Sequence, residues 1–292
     1  PMMHQPESSL TVAACLRKAT ALLAKSGTAR LDAELLLCDA MGVARSYLYA
    51  HGDQILNPQQ QATWQTHLAR RAKGEPVAYV LGYKDFWDMR VKVNHHVLVP
   101  RPETEQLVAW VLALPEQPAL RVLEIGTGSG AISCAIAKAR PHWQFHATDV
   151  CANALAVAKA NAGALGLHHI VFECSDIMRH VPDGAFDVVV SNPPYIDCQD
   201  PCLATPELRH EPRHALVAGQ HGMALLRRVI VAAHALLVPG GHVYLEHGAD
   251  QGEAVRQACH EAGLVGIETS RDLAGHARAT QASKIMAISD AH

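Results

Sequence analysis

From Leu120 onward the chain alternates short apolar segments with longer ones of helical periodicity. "LRVLEIG" precedes "AISCAIAKAR" and "WQFHATD" precedes "ANALAVAKANAGALG"; "HIVFECSD", "FDVVVSN", "GMALLRRVIVAAHALLVPGG", "HVYLEHG", "DQGEAVRQACHEAG" and "ASKIMAIS" follow. Strands joined through helices run parallel, since a parallel neighbour needs a long crossover, and the helices cover both faces of the sheet. The order predicts an α/β domain with a mainly parallel sheet.

Upstream, three stretches carry apolar residues at helical spacing and end on glycine: "LRKATALLAKSG" at Gly27, "LDAELLLCDAMG" at Gly42 and "NPQQQATWQTHLARRAKG" at Gly74. They predict a small helical bundle. The next segment, "VAYVLGYKDFWDMRVKVNHHVLV", turns to β-branched and aromatic residues with partial alternation and predicts a β-hairpin. In "PRPETE" two prolines stiffen the chain and the Thr-Glu pair suits the start of a helix. Arg101 and Glu103 in that segment are expected either to form a structural salt bridge or to touch substrate. The expected division is a helical domain over residues 1–75, a hairpin linker over 76–99 and the α/β domain over 100–292.

A hydrophobic fraction of 49 %, with no apolar run approaching a membrane span, argues against a membrane role. The net charge of −3 provides no global basic footprint for nucleic acid. "PMMHQPESSL" lacks a basic segment followed by an apolar one, so no secretory signal is expected. Eight scattered cysteines suit reduced thiols in cytoplasm better than a disulfide framework. Cys198, Cys202, His210 and His214 imitate zinc spacing, but the intervening loop is shorter than in a zinc finger and histidines are abundant, so no metal is expected.

The chemistry concentrates at strand ends. "VLEIGTGSGAIS" sets Gly126, Gly128 and Gly130, with Thr127 and Ser129 between them, at a strand-to-helix turn where glycine lets a ligand approach the backbone. Asp149 ends the next strand about twenty residues on, where a carboxylate accepts hydrogen bonds from ribose hydroxyls. Glu124, just before the loop, is a further candidate acceptor. The spacing G-x-G-x-G differs from the G-x-G-x-x-G of nicotinamide sites and resembles the first motif of S-adenosylmethionine-dependent methyltransferases. Asp176, ending the third strand, falls either where such enzymes meet adenine or in a solvent-facing cap.

"SNPPY" ends the fourth strand, and ligands of open α/β sheets sit at the carboxyl ends of strands. The Asn192 side-chain oxygen and the Pro193 main-chain carbonyl are two acceptors whose directions the prolines restrict, a pair suited to an NH2 group. Tyr195 offers a ring to pack against the planar group bearing that nitrogen. A planar, poorly nucleophilic nitrogen needs positioning more than it needs a base.

Together, "RAKGEPVAYVLGYKDFWDMRVKVNHHVLVPRPETE", "LEIGTGSGAIS", "VVSNPPYI", "HEPRHALVAG" and "LVPGGHVYLEHGADQ" resemble the peptide chain release factor glutamine methyltransferase family, PrmC, also called HemK. The resemblance spans residues 10 to about 270. It implies a Rossmann-like class I methyltransferase fold with a seven-stranded sheet, and methylation of the side-chain amide of the glutamine in the Gly-Gly-Gln motif of bacterial class I release factors. S-adenosylmethionine is then the cofactor, and no direct nucleic-acid substrate is expected. The implied cofactor positions are Gly126 to Gly130, Asp149, Ile177 and Asn192; the substrate glutamine falls to Asn192, Pro193, Pro194 and Tyr195. Ile177 stands where the family often has an aromatic residue, and "RDLAGHARATQASK" departs from the family's usual form. The helical domain is expected to supply a protein-binding surface. The competing readings are an adenine or guanine amino-methyltransferase, which shares NPPY, and a non-catalytic binder of the same cofactor.

Overall fold

The computed structural model describes residues 10–115, 117, 119–176, 185–219, 221–272 and 274–286. Its contacts fall into two units: residues up to Gly82 joined by Pro206–His210, and Tyr83–Thr205 joined by the residues from Glu211 onward.

The first unit is helical: α1 Val12–Leu22, α2 Ala29–Met41, α3 Arg45–Ala50, α4 Pro58–Ala72 and α5 Val77–Leu81. Local chemistry sets the boundaries. The Thr11 hydroxyl accepts from Ala14 N to start α1, and Asn57 and Gln60 cap α4 reciprocally around Pro58 in its first turn. Gly42, at φ 69°, ends α2. Leu16, Leu36, Leu37, Trp64 and Leu68 pack into one core. Beside it Arg71, 5 % exposed, pairs with Asp32 at 2.8 Å and with Glu207, 136 residues downstream, at 2.5 Å.

Residues 77–81 correct the expected linker: they form α5 rather than a strand. Pro76 fixes the start, Val80 joins the helical core, and Gly82 (φ 82°) stops the helix, so burial outweighs the β-branched composition. The hairpin is confined to β1 Tyr83–Phe86 and β2 Met89–Lys92, and residues 93–100 have no regular strand.

The second unit continues with α6 Glu105–Leu112, β3 Arg121–Ile125, α7 Ala131–Ala139, β4 Gln144–Asp149, α8 Ala152–Ala164, β5 Ile170–Cys174 and β6 Phe186–Ser191. A short pair, β7 Ile196–Asp197 and β8 Val217–Ala218, precedes α9 Met223–Leu236, β9 Leu237–Glu246, α10 Gly252–Glu261, β10 Leu264–Arg271 and β11 Ala277–Lys284. Seven strands form one sheet in the order β10-β11-β9-β6-β3-β4-β5, parallel except where β11 runs against both neighbours. Leu123, Val189 and Val243 of the sheet pack with Leu226 and Ile230 of α9 and Val255 of α10. The expected mainly parallel seven-stranded α/β sheet is present. The chain steps from β3 outward to β5 and returns to β6 on the other side of β3, which creates a crevice at the carboxyl ends of β3 and β6.

Candidate active site

Past Ile125 the backbone turns through three glycines with positive φ, 76° at Gly126, 54° at Gly128 and 80° at Gly130. Residues with side chains rarely adopt this conformation. A Cβ at Gly126 or Gly128 would meet nothing within 4 Å, whereas one at Gly130 would lie 3.0 Å from Ala158 Cβ on α8. The first two glycines thus face open space, and the third permits helix packing.

The loop is held from behind. Glu124, 1 % exposed, takes three donors on Oε2: Thr127 Oγ1 at 2.7 Å, Ser133 N at 3.1 Å and the Ser133 hydroxyl. Burial pushes its carboxyl up to about 7. Asp149, ending β4, accepts from Gly128 N on Oδ2 and from Cys151 N on Oδ1, each at 2.9 Å. Asn161 of α8, 2 % exposed, donates to Ser129 O at 2.8 Å and to Lys92 O at 3.0 Å, and accepts from Lys92 N at 2.7 Å. One buried amide therefore ties the hairpin to the glycine loop.

β6 runs beside β3 and delivers "NPPY" to the same edge, where the Ser191 hydroxyl donates to Ile125 O at 2.7 Å. Asn192 Nδ2 donates to Thr104 Oγ1 at 3.2 Å, and Thr104 Oγ1 donates to Glu246 Oε2 at 2.6 Å. The other carboxylate oxygen, Oε1, accepts from the Tyr195 hydroxyl at 3.1 Å. Glu246 ends β9 and is 2 % exposed; burial raises its carboxyl above the usual range, against the two hydroxyl bonds that lower it. Burial first, and then Glu246, raises the Tyr195 phenol. Gln251 Nε2 donates to the Tyr195 main-chain oxygen at 2.9 Å, and Gly222 passes so close that an added Cβ would lie 1.9 Å from that oxygen.

These elements wall one open cleft. Glu124, Gly126, Thr127, Gly128 and Ser129 line it from β3 and its loop, Asp149 and Asp176 from the ends of β4 and β5, and Asn192, Pro193 and Pro194 from the end of β6. Gly130 and Tyr195 are not on its wall: Gly130 packs on α8, and Tyr195 packs against the core with its hydroxyl on Glu246. Ile177 lies outside the described residues.

Two sequence expectations are corrected. Arg101 pairs with Glu211, not with Glu103; the Glu211 side chain is fully buried and also accepts from Val99 N at 3.0 Å, so it demands a cation, whereas Glu103 is exposed. Thr104 does not cap α6 with its side chain, because its hydroxyl is spent on Glu246. Among the described residues no group of three or more His, Cys, Asp or Glu is placed to hold a metal; His210 Nδ1 lies 2.8 Å from Pro206 O, and His214 lines the cleft.

Sequence reasoning missed His96, Val97, Leu98, Pro100 and Thr104 on the cleft wall, and Glu211 and Glu246 behind it. Glu246 did leave a signal: a carboxylate closing the apolar run "HVYL" at the carboxyl end of a central strand.

Comparison with known proteins places the chain. Residues 14–82 match the family model described as PrmC N-terminal domain, and residues 107–220 match Methyltransferase small domain. The release factor glutamine methyltransferase of Coxiella burnetii (strain RSA 493 / Nine Mile phase I) is 44 % identical over 254 residues, covering 87 % of this chain and 91 % of that protein. The protein of the same name from Escherichia coli (strain K12) is 42 % identical over 266 residues, 91 % of this chain and 96 % of that protein. The chain belongs to the release factor glutamine methyltransferase family. Among solved structures, a methyltransferase from Pyrococcus furiosus aligns with a TM-score of 0.51 at 20 % identity, covering 67 % of this chain and 89 % of that one. The ribosomal protein L11 methylase of Lactobacillus delbrueckii subsp. bulgaricus aligns with 0.50 at 20 %, covering 69 % and 91 %. Both likenesses concern the fold that this release factor glutamine methyltransferase family member shares with other methyltransferases.

Proposed function

We propose that this chain transfers a methyl group from S-adenosylmethionine to the side-chain amide nitrogen of the glutamine in the Gly-Gly-Gln motif of class I peptide chain release factors. The observation that carries the reading is Asn192: its side chain lines the cleft shared with the glycine loop, and its Nδ2 is already engaged by Thr104.

The residues present fit the cofactor. Gly126 and Gly128 leave open the space a Cβ would fill, and the Asp149 carboxylate stands beside that space with acceptor capacity beyond its two backbone bonds. S-adenosylmethionine supplies, when bound, an electrophilic methyl on a sulfonium. An amide nitrogen is a weak nucleophile because its lone pair is delocalised, so what the chain must do is hold it in line and exclude water. Asn192 Oδ1 and the Pro193 carbonyl accept the two N–H hydrogens, and Pro193 and Pro194 fix the directions of those acceptors. Tyr195 supports this corner from behind through Glu246. The proton leaves after transfer, and no strong base is required of the chain. The amino-terminal domain supplies recognition surface for the release factor, and the protein acts where translation terminates, in the cytoplasm.

The test is methyl transfer from labelled cofactor to intact release factor, with two controls: the release factor with its motif glutamine replaced, and duplex DNA. Label is expected on the first substrate alone. Equal labelling of the replaced release factor, or labelling of DNA, would overturn the reading.

A further inference from the structure

Asn192 poses a question of polarity, because the oxygen and nitrogen ends of a carboxamide have nearly the same shape and only hydrogen bonds decide which way it points. The chain from Glu246 decides it. Thr104 gives its single hydroxyl hydrogen to Glu246 Oε2 at 2.6 Å while Tyr195 gives its own to Oε1, the arrangement in which Glu246 acts as acceptor only. The threonine oxygen is left with lone pairs only. Its other partner, 3.2 Å away, must then be the NH2 end of Asn192, which turns Oδ1 away from Thr104. In the opposite orientation two oxygens would face each other with no hydrogen between them. The Tyr195 hydroxyl occupies the second carboxylate oxygen, and Arg101 is committed to Glu211, so Glu246 is held by two neutral donors in a buried site.

We propose that Thr104 and Glu246 are positioning residues that set the polarity of Asn192 and thereby make the site select an amide over a carboxylate. The proposal rests on the amide-methylating reading above. With Oδ1 presented, Asn192 and the Pro193 carbonyl form an all-acceptor pair that complements an NH2 group. A glutamate side chain, carrying only acceptors when ionised, would meet acceptor against acceptor and be rejected. The cleft would thus refuse a release factor whose motif glutamine has been deamidated.

The experiment measures, for the full-length protein, kcat and KM with release factor, and the inhibition constant of a release factor whose motif glutamine is replaced by glutamate. Thr104→Val keeps the shape but can neither accept nor donate. It is expected to lower kcat about 10- to 100-fold and to tighten inhibition by the glutamate form about tenfold relative to wild type, with calorimetric cofactor affinity unchanged. Thr104→Ser keeps the hydroxyl and should restore both. Glu246→Gln offers Thr104 a hydrogen as readily as an acceptor and should also weaken discrimination. Should Thr104→Val fail to fold, Thr104→Ala carries the test: a water in the vacated space has two hydrogens and satisfies either orientation of Asn192. Loss of kcat with an unaltered glutamine-to-glutamate preference in these variants would reduce the pair to a structural role and overturn the proposal. Wild type that methylates no release factor would instead sink the reading on which it rests.

Discussion

Tyr195 illustrates how a single atom changes an expectation. From sequence alone, losing its hydroxyl looks mild, since the ring remains. In the structure that hydroxyl is one of two donors to a carboxylate that is 2 % exposed. Tyr195→Phe is therefore expected to cost about 1–3 kcal/mol of stability and, by loosening Glu246, about tenfold in turnover; urea unfolding and single-turnover methylation measure the two. Asn192→Ala removes an acceptor outright and should lower turnover about a hundredfold or more at saturating cofactor. Near-normal turnover would defeat its amide-holding role. Asp149 also does double work, because its carboxylate holds Gly128 N and Cys151 N as well as standing by the cleft. Asp149→Ala is expected to weaken cofactor binding about 10- to 100-fold, and unchanged calorimetric affinity would exclude the contact.

At the scale of elements, the glycine loop is a junction among β3, α8 and the hairpin rather than a turn alone. Asn161 makes three hydrogen bonds across it, so Asn161→Ala leaves the Lys92 N–H and the Lys92 and Ser129 carbonyls without that partner. The expected loss is about 2–4 kcal/mol, with faster amide exchange at Ser129 and Lys92; protection equal to wild type would show that the junction is held otherwise. What could be read in advance follows the range of the forces involved. The strand and helix alternation, the capped start of α4, the stop at Gly42 and the placing of Asp149 and Asn192 at strand ends all rest on neighbouring residues or on a repeating period, and they were legible. Val77–Leu81 was not, because burial in the helical core overrode local composition. Nor were the partners of Thr104 and Arg101, which lie 142 and 110 residues away in sequence at Glu246 and Glu211. No local pattern encodes such distances.

For the molecule as a whole, no helix among the described residues is long and apolar enough to cross a membrane, and stability should respond to pH through one carboxyl in particular. Glu124 has its folded pKa raised from 4.5 to about 7 by burial. The folded protein thus holds that proton more tightly than the unfolded chain does. The associated stability is fully present below about 4.5 and is lost as pH rises through about 7. At about 1.4 kcal/mol per pH unit, the loss amounts to about 3 kcal/mol. Glu124→Gln keeps an acceptor for Thr127 and Ser133 but cannot ionise, so its stability relative to wild type should climb across this interval in urea titrations. A constant difference would remove Glu124 as the titrating group.

The bond between Arg71 and Glu207 has a consequence for the order in which the protein is made. Synthesis delivers the chain from its amino end, and domains generally fold as they emerge. Yet the helical unit contains Pro206–His210, so the Arg71 guanidinium, 5 % exposed in the finished fold, has Asp32 from the start but must wait for its second carboxylate, Glu207, 136 residues later. By then β3 to β6 have already been synthesised. A ribosome-bound chain stalled soon after Gly82 should therefore carry a helical unit less resistant to protease than one stalled well past His210, the first unit being completed by a segment that falls, in sequence, between the two stretches of the second.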